Sequence, residues 1–284
     1  MSKFDTAFEY FDANRLSDKY NFITTIWLSS DGCSVSGYSN LDDEYIYLAH
    51  FPDFKINIYQ VLIPRIKDLL SNPQIETLIT SSTKVKVVVN EVRFTLIPES
   101  IFDASKTEDV FKMQNQLLAY EELENKAITD LQHRIIFPIN DLLKSYLKET
   151  FEDKLEISSY SEEILKLISS NTEQRSIFHV DFSHERLSIS FKKDNQLLFH
   201  NSFDYSNEED SIYFIVYTME KLQLSAQETE VYITGNSLNK DSKLVEDLGK
   251  YVSKLTWMNI GSFKALFFKL NLAEIHRFPY LFNA

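Results

Sequence analysis

Apolar and polar residues alternate with a period of two in two widely separated stretches, and each stretch is followed by apolar positions at helical spacing. From Arg175 to Tyr205 the alternation predicts three strands, Ser176 to Asp181, Arg186 to Phe191 and Gln196 to Asn201, joined by turns at Ser183-His184-Glu185 and Lys192 to Asn195. A helix should follow, because Ser206 and Glu209 have capping-box spacing and Ile212, Ile215, Val216, Met219 and Leu222 share one face. The same order occurs earlier, in Phe22 to Leu28, Cys33 to Tyr38 and Glu44 to Phe51, with Ser29-Ser30-Asp31-Gly32 as the first turn. Asp-Gly is a strong hairpin signal. Tyr59, Leu62, Ile63, Ile66 and Leu69 then form a helical face. Pro64 inside it predicts a kink or a fresh start, since proline lacks an amide hydrogen and crowds the preceding turn. The two passes open at Phe22 and Arg175, and these positions, like face residues Tyr59 and Ile212, are 153 apart. Side-chain identity between the passes is poor, so the repeat is one of pattern.

Between the two passes, Val85 to Asn90 and Arg93 to Ile97 read as a hairpin ended by Pro98, and Ser105 with Glu108 as the cap of a helix reaching about Tyr120. The acidic runs Glu121-Glu122-Leu123-Glu124 and Asn207-Glu208-Glu209-Asp210 read as solvated helix ends. Strands are expected near Ala127 to Leu131, at Arg134 to Phe137 and at Lys154 to Ser159, with helices from Asn140 to about Thr150 and from a cap at Ser161. The polar stretch Asn171 to Gln174 divides an N-terminal half, 1–173, from a C-terminal half, 174–284. After the second pass come a strand at Glu228 to Thr234, the turn Gly235-Asn236-Ser237, a helix from Ser242 and a strand at Trp257 to Ile260. Three strands, helix, strand, helix, strand is the order of a ribonuclease-H-like subdomain. Two in tandem make an α/β protein of actin-like arrangement. Phe4, Phe8 and Phe11, at helical spacing, suggest an N-terminal arm packed on the body. At the other end, Ile275 to Phe282 is expected to pack across the second sheet; exposed, it would be a docking tail anchored by Phe278, Tyr280 and Phe282.

With 284 residues and 44% apolar content, the chain can bury a core without staples. Cys33, the single cysteine, excludes an internal disulfide and fits a reducing compartment, the cytoplasm by default. The acidic amino end is unlike a signal peptide, and no apolar run approaches the roughly 18 residues of a membrane span. A net charge of −13 argues against nucleic-acid binding, which needs clustered lysine and arginine. Only five glycines occur, where average usage of about 7% would give some twenty.

The chain resembles an uncharacterised bacterial domain family that looks like a degenerate relative of the actin-like ATPases. The resemblance is carried by Asn201, Phe203, Tyr205, Glu209-Asp210, Ile212-Tyr213-Phe214, Leu222, Leu224, Val231, Ile233, Gly235, Ser237, Ser242, Leu244, Leu248 and Tyr251, and in the first half by Ser29 to Gly32, Val35, Thr95 to Pro98 and Ile101-Phe102. It implies a duplicated ribonuclease-H-like fold, with kin that include actin, sugar kinases, heat-shock ATPases and adaptors of bacterial cell division and of pilus or secretion assembly. Fold alone does not transfer function.

In ATP-binding members of that superfamily a phosphate turn joins the first two strands of each half, where an acid positions the metal-bound water and glycine lets amides reach the phosphates. The corresponding turns here are Ser29-Ser30-Asp31-Gly32 and Asp181-Phe182-Ser183, the second without glycine, and the adenosine-side turn keeps only Gly235. The resemblance implies that Ser29, Asp31, Gly32, Asp181, Ser183 and Gly235 would be the vestigial turns of a nucleotide site if binding persists. His179 and Asp181 share a strand face with His184 just beyond, a spacing open to a metal, although a partly buried, hydrogen-bonded His179 is the simpler reading. A Ser-His-Asp triad has no support without a glycine-flanked nucleophile turn.

The sequence therefore points to a non-catalytic interaction or scaffold module with an eroded nucleotide site, no cofactor and an unidentified protein partner. The alternatives are an ATP- and Mg-dependent actin-like ATPase or small-molecule kinase and, more weakly, a metal-dependent nuclease. The cleft between the halves is expected to persist as a groove.

Overall fold

The computed structural model describes residues 7–11, 21–29, 32–52, 54, 59–171, 174–183, 186–235, 238, 243–258 and 277–282. Its first sheet contains β1 (Phe8–Phe11), β2 (Phe22–Ser29), β3 (Gly32–Ser39), β4 (Glu44–Phe51), β5 (Ser82–Val89) and, further along the chain, Leu155–Ser159. A three-stranded sheet is made of β6 (Thr95–Pro98), β7 (Glu121–Ile128) and β8 (His133–Asn140), in the order β6-β8-β7. Leu155–Ser159 is β9, which completes the first order, β1-β4-β3-β2-β5-β9. The other large sheet comprises β10 (Ser176–Ser183), β11 (Arg186–Lys193), β12 (Gln196–Asp204), β13 (Glu230–Thr234) and β14 (Lys254–Trp257), ordered β12-β11-β10-β13-β14.

Apart from β1, the two large sheets have the same order and strand directions. In each, an antiparallel meander leads to two strands added in parallel. Parallel addition needs a crossover. Helices α1 (Tyr59–Leu70) and α2 (Pro73–Thr80) fill that role in the first body, and α6 (Glu208–Lys221) in the second. Between them in sequence lie α3 (Thr107–Lys112), α4 (Asp141–Phe151) and α5 (Tyr160–Ser170), and α7 (Lys243–Tyr251) precedes β14. The 153-residue pattern repeat is therefore a repeat of topology.

Several local expectations are corrected. Phe8 and Phe11 lie in a strand paired antiparallel with β4 rather than in a helix. Val85 and Arg93 do not open a hairpin, because β5 lies between β2 and β9 while β6 pairs with β8 in the small sheet. The acidic run at Glu121 is a strand. Its charges are met by Arg93, which bonds Glu121, and by Lys144, which bridges Glu122 and Glu124 at 2.6 and 2.9 Å. The helix expected from Ser105 is the short α3; Asp103, not Ser105, accepts the amide hydrogen bond that caps the preceding 3-10 turn. Ser159 rather than Ser161 caps α5, in a reciprocal box with Glu162, and Asn207 rather than Ser206 caps α6 by accepting from the Asp210 amide. Pro64 neither ends nor restarts α1, which runs through it as one helix.

Alternation along β10 partitions the core. Phe178, Val180 and Phe182 face Ile215 and Met219 of α6 and Leu248 of α7 in one apolar cluster. On the opposite face Ile177, with Tyr232 of β13, joins the larger cluster built on Trp27, Val88, Tyr160 and Ile164. That face carries His179 and Asp181 into the seam between the two bodies.

The last turn, Pro279–Phe282, also belongs to this larger cluster. Phe278, Tyr280 and Leu281 are buried there, not against the apolar side of the second sheet and not free as a docking tail. The aromatic rings of Trp27, His50 and Tyr160 supply the surface that draws them to the first body.

Candidate functional site

Cross-strand register gives β10 a row of polar neighbours. Asp181 lies opposite Ser188 and Thr234, while His179 lies opposite Ser190 and Tyr232. His200 on β12 extends the second row through Ser190, whose hydroxyl is 2.8 Å from its Nδ1. Asp181 is 1% exposed and accepts hydrogen bonds from the Tyr160 hydroxyl and from Thr234 Oγ1 at 2.5 Å. Since the one Thr234 proton goes to Asp181, Thr234 accepts from His179 Nε2, 2.8 Å away. This fixes the His179 tautomer with hydrogen on Nε2. Its Nδ1 is left buried with no hydrogen-bond partner among the described residues. Burial, with a smaller contribution from His200, pushes the His179 pKa down to about 3, so the ring is neutral.

Tyr160, first residue of α5, brings the opposite wall. Its ring stacks on Trp27 of β2, 6.4 Å between centroids and 8° between planes. Tyr280 meets both edge-on, at 5.1 Å from Tyr160 and 5.3 Å from Trp27, and Phe278 stands 6.4 Å from Trp27 and 5.1 Å from His50. Ser36 Oγ donates to the Leu281 carbonyl at 2.8 Å. Burial first, and then the Asp181 charge, hold the hydroxyls of Tyr160 and Tyr280 well above their usual pKa. The seam at Asp181 is thus filled by the aromatic side chains of three distant segments.

The glycines are committed elsewhere. A Cβ on Gly235, at φ +129°, would lie 2.0 Å from the Phe182 carbonyl oxygen and 2.5 Å from the Phe182 nitrogen. One on Gly32, at φ +151°, would lie 2.5 Å from the Phe51 oxygen. Both residues serve close approach of the chain to itself. Ser29 Oγ donates to the Gly32 carbonyl at 3.0 Å, and Ser183 is 5% exposed with its carbonyl accepting from the Tyr205 hydroxyl. Asp31 and His184 lie outside the described residues. A magnesium-bound triphosphate is a poor fit to this arrangement: the Asp181 oxygens already accept from protein hydroxyls, and the Gly235 Cα is pressed on backbone. Among the described residues no group of three or more His, Cys, Asp or Glu is gathered as a metal ion requires.

Of the residues singled out from sequence, His179 and Asp181 meet through Thr234, while Phe278 and Tyr280 arrive from the far end of the chain. Nothing in the sequence singles out Trp27 or Tyr160, and Thr234 stands out there only as the end of a strand beside the Gly235 turn. Thr234 immediately precedes Gly235, but only strand register reveals that it faces Asp181. At the level of Asp181 the seam between the halves is filled. An open groove of about 710 Å³ does lie between the halves elsewhere, between the small sheet and the β11–β12 turn, lined by Pro98, Ile128, Leu131, His133, Asn195 and Leu198 among others. No helix among the described residues is long and apolar enough to cross a membrane.

Two matched sheets with crossover helices, joined across such a seam, define the actin-like ATPase fold. A Bacteroides thetaiotaomicron protein with that fold and unknown function superposes with a TM-score of 0.74 at 22% identity, covering 86% of this chain and 93% of that one. In the PilM–PilN type IV pilus biogenesis complex, the matched chain gives a TM-score of 0.61 at 12% identity, over 92% of this chain and 96% of that one. The chain belongs to the family described as protein of unknown function DUF3822, whose model matches residues 12–255. No curated protein matches it.

Proposed function

We propose that this chain is a non-catalytic interaction or scaffold module in which an actin-like fold has lost its nucleotide site. The observation that carries the reading is the Asp181 carboxylate, buried and bonded by Tyr160 and Thr234 with Tyr280 packed beside Tyr160. An acid that positions a metal-bound water has to present free oxygens to solvent and metal. This one is spent on internal hydroxyl groups. The positions of Gly32 and Gly235 support the same reading, since each is needed for backbone packing.

The module works in the cytoplasm with a protein partner. PilM, which shares the fold at 12% identity, is itself found in complex with PilN. A net charge of −13 disfavours nucleic acid as the partner. The two halves divide near residues 173 and 174, with the 277–282 turn returning to the first.

Isothermal titration with Mg-ATP tests the reading. The expected result is no saturable heat up to about 1 mM nucleotide. A micromolar dissociation constant abolished by Asp31→Ala, or ATP turnover abolished by Asp181→Asn, would overturn it.

A further inference from the structure

We infer that the outer face of α6, together with the end of α7, docks a short cationic segment of a partner protein. Glu209, Tyr213, Val216, Tyr217 and Glu220 recur at the spacing that aligns them on one side of a helix. Tyr251 faces them across a shallow groove of about 310 Å³. Tyr213, Tyr217 and Tyr251 retain 60%, 42% and 56% exposure, an aromatic density uncommon on a surface that meets only water. Tyr213 and Tyr217 stack 5.6 Å apart with 20° between their planes, and Tyr213 also rests edge-on against Phe214 at 5.7 Å. Phe214 is fixed in turn by stacking on Phe203 at 4.8 Å. The shelf is therefore pre-organised, so little side-chain freedom is lost on binding.

Charge selects the occupant. Glu209 and Glu220 stand at the two ends of the aromatic stripe, and neither carboxylate is paired with a cation among the described residues. The shelf already takes one cation of its own, since Lys221 Nζ sits 5.0 Å from the centre of the Tyr217 ring. Eleven helical residues place the two glutamates about 16 Å apart, the reach of about five residues of extended chain. A segment with Lys or Arg at both ends of four apolar residues would satisfy both carboxylates and cover the rings. The overall charge of −13 would speed its approach.

This inference rests on the interaction-module reading, yet the two fail separately. The probe is a fluorescein-labelled Lys-Leu-Ala-Leu-Leu-Lys peptide, followed by anisotropy against the full chain, with Glu-Leu-Ala-Leu-Leu-Glu as its charge-reversed control. Saturable binding of the first peptide only is expected, weakened about tenfold in Glu209→Gln/Glu220→Gln and in Tyr213→Ala/Tyr217→Ala. These side chains are on the surface, and unchanged circular dichroism of the variants separates loss of docking from loss of fold. Equal binding of both peptides, binding unchanged in the variants, or none up to about 1 mM would overturn it. So would a concentration-dependent dimer in sedimentation that Tyr213→Ala dissolves, which would assign the shelf to a second copy of the chain. Uptake of Mg-ATP would defeat the non-catalytic reading and leave the peptide result standing; a silent peptide titration defeats this surface whatever the nucleotide does.

Discussion

The Tyr160 hydroxyl donates to the Asp181 carboxylate, so the first residue of α5 is tied to the far end of β10 across the seam of the two bodies. Both residues are almost wholly buried. A hydrogen bond to a charged group contributes about 1.5–3 kcal/mol, and losing one partner leaves the other unsatisfied. Tyr160→Phe should therefore lower the stability to urea by about that amount. In a double-mutant cycle with Asp181→Asn the two changes should be far from additive. Additive losses would mean that the bond contributes nothing.

His179 links stability to pH. Burial pushes His179 and His200 down to about 3, whereas an unfolded histidine titrates near 6.5. Below that value the unfolded chain binds protons that the folded chain refuses, so stability falls as pH drops from about 6.5 towards 3. The urea midpoint should be lower at pH 4.5 than at pH 7, and the fall should be shallower in His179→Gln. An identical slope in the variant would show that His179 is not the group responsible.

Two glycines should respond in opposite directions. Gly235→Ala places a methyl group against the Phe182 backbone at a positive φ, and a loss of roughly 3 kcal/mol or outright misfolding is expected. Gly249 lies in α7 with nothing among the described residues within 4 Å of its would-be Cβ. Gly249→Ala should raise stability by about 0.5–1 kcal/mol. Thermal melts of the pair, with wild type alongside, decide both.

The C-terminal turn should behave as core. Phe278→Ala removes a side chain that is 2% exposed between Trp27 and His50, and about 3–5 kcal/mol of stability should go with it. Leu142→Ala, at a residue 67% exposed, should change stability by no more than about 0.5 kcal/mol. Similar denaturation midpoints for the two variants would place Phe278 outside the core.

The duplicated topology was legible in sequence because the meander strands carry their burial in a period of two. Ile177 to Phe182 shows the weakness of the same signal: both faces of β10 are buried, and alternation alone cannot say that one of them meets another body. The acidic strand β7 misled for a related reason. Glu121, Glu122 and Glu124 are tolerated there because Arg93 and Lys144 come to them from outside the strand. The loss of phosphate-turn glycines could be read directly, since it is a statement about residue type. The partners of Asp181 could not. Tyr160 and Thr234 are 21 and 53 positions away from it, and only packing and strand register bring such residues together.

The bond from Ser36 to Leu281 spans 245 residues and closes the front body with the end of the chain. Domains usually form in order as they leave the ribosome. Here the earlier body cannot complete its aromatic interior until 277–282 has cleared the exit tunnel. A truncated or stalled product would expose Trp27 and Tyr160 to the cell, a natural mark for chaperones and proteases.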